Sequence, residues 1–255
     1  MKTNKNPTLG AIATAVIVSV TGCTTVVPVK DVLNNKSDYV AKNFSLSNIQ
    51  PAVAKQIPDN SRKINFKNLV VKQDANSEDS DGKKDSWTST VTMEPISGEL
   101  INLTREHSSN GIPYNITYAI SYRGIMDLRW QFIPLQSQLT SDIYEVKETT
   151  QISKLSAEGS EFFSSKYSSA PSVQIANYQP YTRTCKPTKT TTASEYNKNF
   201  TGQATELECQ NFKGNALHYR SKWIFLHDLG VTIMLENIST TSKSFYKITD
   251  VTIRM

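Results

Sequence analysis

Residues 216–226 read ALHYRSKWIFL. The odd positions Leu217, Tyr219, Trp223 and Phe225 are mostly apolar, while the even ones begin His218, Arg220, Lys222. A period of two places the two sets on opposite faces of an extended chain, so the stretch predicts a strand with one dry and one wet face. A slip of one residue would exchange the faces, so the same pattern sets the register. Turn-rich runs at 211–215, 227–230 and 239–243 separate it from three similar segments, 205–210, 231–238 and 244–254. Cys209 shares the apolar parity of Leu207.

The same signature runs through much of the chain from residue 65 onward. Segments 65–72, 87–94, 99–107, 113–122 and 125–133 are rich in Thr, Val, Ile and Tyr. Gly and Asn in the connections 108–112 and 123–124 supply the positive φ that hairpin turns require. Residues 139–155 fit a strand or a helix, with Thr149, Thr150 and Ile152 favouring the strand. No fixed-period repeat and no alternating helical pattern is present. These features predict an all-β domain over 63–255, either an antiparallel sandwich or an up-and-down or partly open barrel. Residues 24–62 are polar, carry Pro28, Pro51 and Pro58, and read as a flexible tether with one short helix near 37–44.

The start of the chain is a separate matter. Lys2 and Lys5 precede the apolar run 9–20, LGAIATAVIVSV, which is shorter than the roughly 20 residues that span a bilayer. Behind it stands Val20-Thr21-Gly22-Cys23. This resembles the lipobox of bacterial lipoproteins, with Val in place of Leu at its first position. The resemblance covers residues 1–23 and implies a signal peptide over 1–22, a lipidated N-terminus and linker over 23–62, and acyl chains, palmitate among them, on Cys23. Several chains on one residue hold a protein stably where one does not. Thr24 rather than Asp after the cysteine implies outer-membrane sorting in a Gram-negative envelope.

Once Cys23 is set aside, Cys185 and Cys209 are an even remainder in an oxidising setting, which predicts a disulfide closing residues 186–208. Neither belongs to a C-x-x-C pair or has a histidine at ligand spacing, so no metal is expected there. In the acidic run 72–86, aligning Gly82 with the glycine of an EF-hand puts Asp79 and Asp81 at ligand positions. Ser77 and Thr88 then fall where carboxylates belong, which favours a solvated loop.

The net charge of +5 falls to +3 when Lys2 and Lys5 leave with residues 1–22, and no basic face stands out, so nucleic acid is not an expected partner. His107, His218 and His227 are scattered, and no G-x-S-x-G elbow or G-x-x-x-x-G-K loop is present. The carboxylate pairs Glu145/Glu148 and Glu206/Glu208 read as solvated faces. Trp87, Trp130 and Trp223 on three separate strands are either core or the lining of an apolar ligand site. The expectation is a non-enzymatic, lipid-anchored outer-membrane module without a cofactor, meeting another envelope protein or a glycan. The alternative is a barrel that holds an apolar ligand such as lipid, and an envelope-polymer hydrolase stands behind both.

Overall fold

The computed structural model describes residues 26–59, 63–155 and 162–255. Twelve strands follow one another: β1 (Asn68–Asp79), β2 (Lys84–Ser97), β3 (Leu100–Ser109), β4 (Ile112–Tyr122), β5 (Met126–Pro134) and β6 (Tyr144–Ile152), then β7 (Phe163–Pro171), β8 (Gln179–Thr192), β9 (Gln203–Lys213), β10 (Ala216–Leu226), β11 (Val231–Ser239) and β12 (Ser242–Arg254). Each lies antiparallel beside the next, and β12 returns to β1 to close a barrel. The barrel, not the sandwich, is therefore the form taken. The closing pair runs the length of β1, from Asn68↔Arg254 to Asp79↔Ser242, so the two outermost strands satisfy each other's backbone groups.

Local chemistry explains most of the turns. Asn110 and Gly111, with φ of 51° and 77°, form the two-residue connection between β3 and β4. Within residues 139–155, Tyr144–Ile152 form strand β6 and no helix appears. The acidic run 72–86, expected as a loop, is mostly strand: buried Gln73 and Ala75 alternate with exposed Lys72, Asp74 and Asn76, leaving only 80–83 as turn. Within that turn Asp79 Oδ1 accepts the N–H groups of Asp81 and Lys83 at 3.0 and 2.8 Å. Strands β7 and β8 escape the sequence pattern because serine, tyrosine and arginine hold many of their inward positions.

The alternation along β10 needs one correction. A bulge between Leu217 and Tyr219 inserts His218, which turns Leu217 out to 40% exposure. Beyond it Ser221, Trp223 and Phe225 are buried on one face, and Ile224 and Leu226 are buried on the other as well.

The tether expectation is also corrected for residues 26–59. Three short helices, α1 (Val29–Asn34), α2 (Lys36–Asn43) and α3 (Pro51–Ala54), and the turns between them bury Val29, Val32, Phe44, Ile49 and Val53 in the apolar cluster that contains Ile116, Tyr118 and Ile133 of β4 and β5. Helix α2 falls where the short helix was expected. The anchors were hard to read because α1 and α3 bury two and one side chains, α2 none, and Phe44 and Ile49 lie between helices, too few and too irregular for a period. Pro28 and Pro51 sit at helix starts, where a missing N–H is not felt. Outside the barrel, Glu145 binds this layer down: it pairs with Arg129, accepts Lys147 Nζ and Gln50 Nε2 at 2.8 Å each, and Arg129 Nε donates to Asn43 O at 2.7 Å.

Two ladders are short. β5 meets β6 only at Arg129↔Glu145 and Trp130↔Tyr144, and β11 meets β12 only over Glu236–Ile238. Where these seams part, the tip of hairpin β4–β5 reaches across the interior. Arg123, at the tip, is fully buried; its guanidinium pairs with Glu99 and donates to Gly230 O at 2.5 Å. Its own carbonyl accepts Thr232 N–H at 2.9 Å. Gly124 is required there, because a Cβ would lie 2.8 Å from Thr232 O, and its φ is +78°. The hairpin divides the core: Ile120 and Tyr122 join Phe163, Leu207 and Phe225 in one cluster, while Ala119 joins Leu103, Ile224 and Val231 in the other.

The disulfide Cys185–Cys209 joins directly opposed residues of β8 and β9, with Cα atoms 4.0 Å apart, as the cysteine count required. Replacing both cysteines by alanine is expected to lower the unfolding free energy by about 3 kcal/mol in urea titration, since the open chain regains the entropy of a loop of about 23 residues. Glu99→Ala, which strands a buried guanidinium, should cost about 3–5 kcal/mol, and Glu99→Leu with Arg123→Met should recover much of it.

Candidate functional site

A partly open cavity of about 340 Å³ lies inside the barrel between the β4–β5 tip and strands β7 to β11. Gly124 and Ile125 of the inserted tip form part of its wall. The rest comes from inward positions of the strands: Trp130, Tyr167, Tyr181, Arg183, Asn211, Tyr219, Trp223 and Met234 line it, with Arg105 and Asp127 at its sides. A second pocket beneath the 171–179 connection shares Trp130, Ser169 and Tyr181 with it. The volume is at the low end for small-molecule sites.

Arg183 is the chemical centre of this cavity. Its Nε donates to Asn211 Oδ1 and its Nη2 to Tyr219 OH at 2.7 Å, and its guanidinium stands 5.9 Å from the Trp223 ring centre. Burial opposes its charge, but Tyr219, Tyr167 and Asp127 outweigh that and hold its pKa above the ordinary arginine value, so it is cationic. Burial pushes the Tyr167 phenol up to about 12, which keeps it neutral. Three arginines are deeply buried among the described residues. Arg123 pairs with Glu99 and Arg129 with Glu145, whereas Arg183 has no carboxylate within ion-pair distance among the described residues. A buried cation with no anion in direct contact is costly, and this one faces a cavity, shared with Asp127, that can admit one.

The sequence-predicted residues divide. Trp130 and Trp223 meet at the cavity, Trp130 stacked on Tyr144 at 5.7 Å and Trp223 Nε1 donating to Ser221 Oγ at 2.9 Å. Trp87 lies apart, its ring 5.9 Å from that of His107 and 6.2 Å from that of Tyr246. Cys23 lies outside the described residues. Glu145 is the structural hub described above and Glu148 is exposed, while Glu206 accepts Tyr196 OH at 2.5 Å and Glu208 lies 3.9 Å from Lys222 Nζ. His218 is exposed at the cavity edge, and His227 Nε2 lies 2.8 Å from Thr205 Oγ1. Among the described residues no group of three or more His, Cys, Asp or Glu side chains stands together as a metal site. Arg183 was missed because it belongs to an unread strand, although its place two residues before Cys185, on the same face, was a usable signal.

The chain matches no protein-family model and no curated protein. A solved structure, described as a beta-barrel-like protein of a domain of unknown function (DUF1849) from Brucella abortus, covers 75% of this chain and 100% of its own at 11% identity and a TM-score of 0.43. Nothing about activity passes from it to this chain.

His107 gives a pH signature. Burial, with the nearby Arg105 charge second, lowers its pKa to about 4, and its Nε2 has no hydrogen-bond partner among the described residues. The unfolded chain, with a histidine near 6.5, binds the proton first. Stability from this residue is therefore complete above about pH 6.5 and declines as pH falls toward 4, by at most about 1.4 kcal/mol per pH unit. In chemical denaturation at stepped pH, the difference between wild type and His107→Phe should change across that window and be level above it.

Proposed function

We propose that this protein is a lipid-anchored, non-catalytic envelope module whose barrel binds a small amphipathic anion. The single observation that carries the ligand class is the buried guanidinium of Arg183, which lacks a carboxylate partner among the described residues and sits in a cavity walled by Trp130, Trp223 and tyrosines. Indole and phenol faces suit a flat or short apolar body, and the guanidinium suits a carboxylate or similar head. A purely apolar ligand fits less well, because the Arg183 guanidinium would lose solvent without gaining a counter-charge. A lining rich in groups that bind and orient supports a binder rather than a hydrolase.

The anchor reading rests on Val20-Thr21-Gly22-Cys23 behind its apolar run, and Thr24 supports the outer membrane. The disulfide agrees with an oxidising compartment.

Two measurements test this. Native mass spectrometry of the full chain extracted from membranes should retain a small bound molecule, and indole-3-acetate, used as a probe of the class, should quench tryptophan fluorescence. Arg183→Gln should weaken that binding by about tenfold or more, the loss expected for a charge-assisted hydrogen bond, with an unchanged far-UV spectrum. Wild-type protein showing neither a bound molecule nor a quench would overturn the ligand reading. For the anchor, intact-mass analysis should find a mature chain beginning at acylated Cys23; an N-terminus elsewhere, or an unmodified one, sinks it.

A further inference from the structure

In an up-and-down barrel the connections alternate between its two ends, so the odd-to-even connections, β1–β2 through β11–β12, share one end. That end carries most of the large exposed apolar side chains of the described residues. Ile112, Leu139, Val173, Ile175, Leu217 and Phe245 stand on or within four residues of five of its six connections, with exposures from 40% for Leu217 to 88% for Ile175. Among the described residues at the opposite end, only Met255 belongs to this class.

The chain enters the described structure at the same apolar end. Val27 and Pro28 lie against the β5–β6 connection: Thr140 N–H donates to Val27 O at 2.9 Å, Val29 N–H donates to Gln138 O at 3.0 Å, and Pro28 bridges to Leu139. Three residues separate Cys23 from Val27, and those four steps of chain reach at most about 14 Å. We infer that this end of the barrel seats on a lipid bilayer, with the apolar tips in its interfacial layer. The inference rests on the acylated Cys23 proposed above, because that short leash brings this end, and not the other, to the membrane.

The form of the surface favours lipid over a protein partner. Its apolar groups stand singly on separate connections with polar residues between them, which suits shallow insertion of loop tips rather than a continuous packed interface. Charges near the same end have both signs, Lys83, Lys84, Lys213 and Lys243 against Glu78, Asp79, Asp81 and Asp85, so the attraction is apolar and needs no anionic lipid. The seated end also carries the 171–179 connection, beneath which the second pocket adjoins the cavity at Trp130 and Tyr181.

The test uses the full acylated chain in phosphatidylcholine vesicles, with its disulfide closed and one nitroxide on Ile175→Cys, on Leu217→Cys or, at the far end, on exposed Lys198→Cys. Collision with oxygen should dominate over collision with an aqueous nickel chelate at positions 175 and 217, and the reverse should hold at 198. Adding phosphatidylglycerol or 0.5 M salt should change this little. A variant with Val173, Ile175 and Phe245 all changed to serine should bring the label at 217 back to water by about tenfold in relative accessibility. Equal aqueous contact at all three labels, on a chain whose acylation is verified by intact mass, overturns the seating and leaves the anchor standing. If the mass shows no acylation, the anchor reading fails, and the labels on that chain mixed with vesicles decide the seating alone. Labels at 175 and 217 immobilised before any lipid is added would assign the surface to a second copy or a protein, and overturn the inference.

Discussion

A charged side chain held in the middle of the barrel organises the rest. Arg123 sits at the tip of hairpin β4–β5 with no exposure, and it is tolerated there because Glu99 supplies its counter-charge and Gly230 a carbonyl. Each of those partners would be a liability alone, since a buried ion without its mate is far more costly than an apolar pair. Together with the Arg123 carbonyl on Thr232, they fix the tip across the interior, and two close approaches demand glycine at 124 and 230. From that placement follow the split core and part of the cavity wall.

The inserted hairpin also accounts for the outer layer. Because its second face is apolar as well, Ile116, Tyr118 and Ile133 cannot be left to water, and the three N-terminal helices cover them. The helices are too short to be stable on propensity alone, so packing and the Glu145 hub hold them. The layer that reads as a linker is thus part of the fold, and it fixes where the chain leaves toward Cys23.

The disulfide and the cavity are neighbours by register. Cys185 opposes Cys209, and one step along the same face Arg183 opposes Asn211. The covalent link therefore pins the row that aims the guanidinium, which is how a scaffold keeps a binding group from wandering. Of the three arginines buried among the described residues, two are consumed by architecture; the third has no carboxylate within ion-pair distance among those residues and faces the cavity.

Much of this was legible in the residues. Period-two alternation located β10, runs of β-branched and aromatic residues located neighbours such as 231–238, and Asn110-Gly111 announced its turn through the backbone it permits. The cysteine count gave the disulfide, and alternation along β10 put Trp223 inside. Other features were invisible to such patterns. β7 and β8 place Ser165, Tyr167 and Arg183 inward, so their polarity carries no period. A turn residue such as Arg123 reads as solvent-facing, and no local rule distinguishes a tip that reaches into a core from one that stays in water. Tertiary structure alone decided closure into a barrel over a sandwich, the meeting of Trp130 with Trp223 but not Trp87, and the isolation of Arg183. These depend on which distant groups satisfy one another once water is excluded, and that is a property of the assembled interior rather than of any one segment.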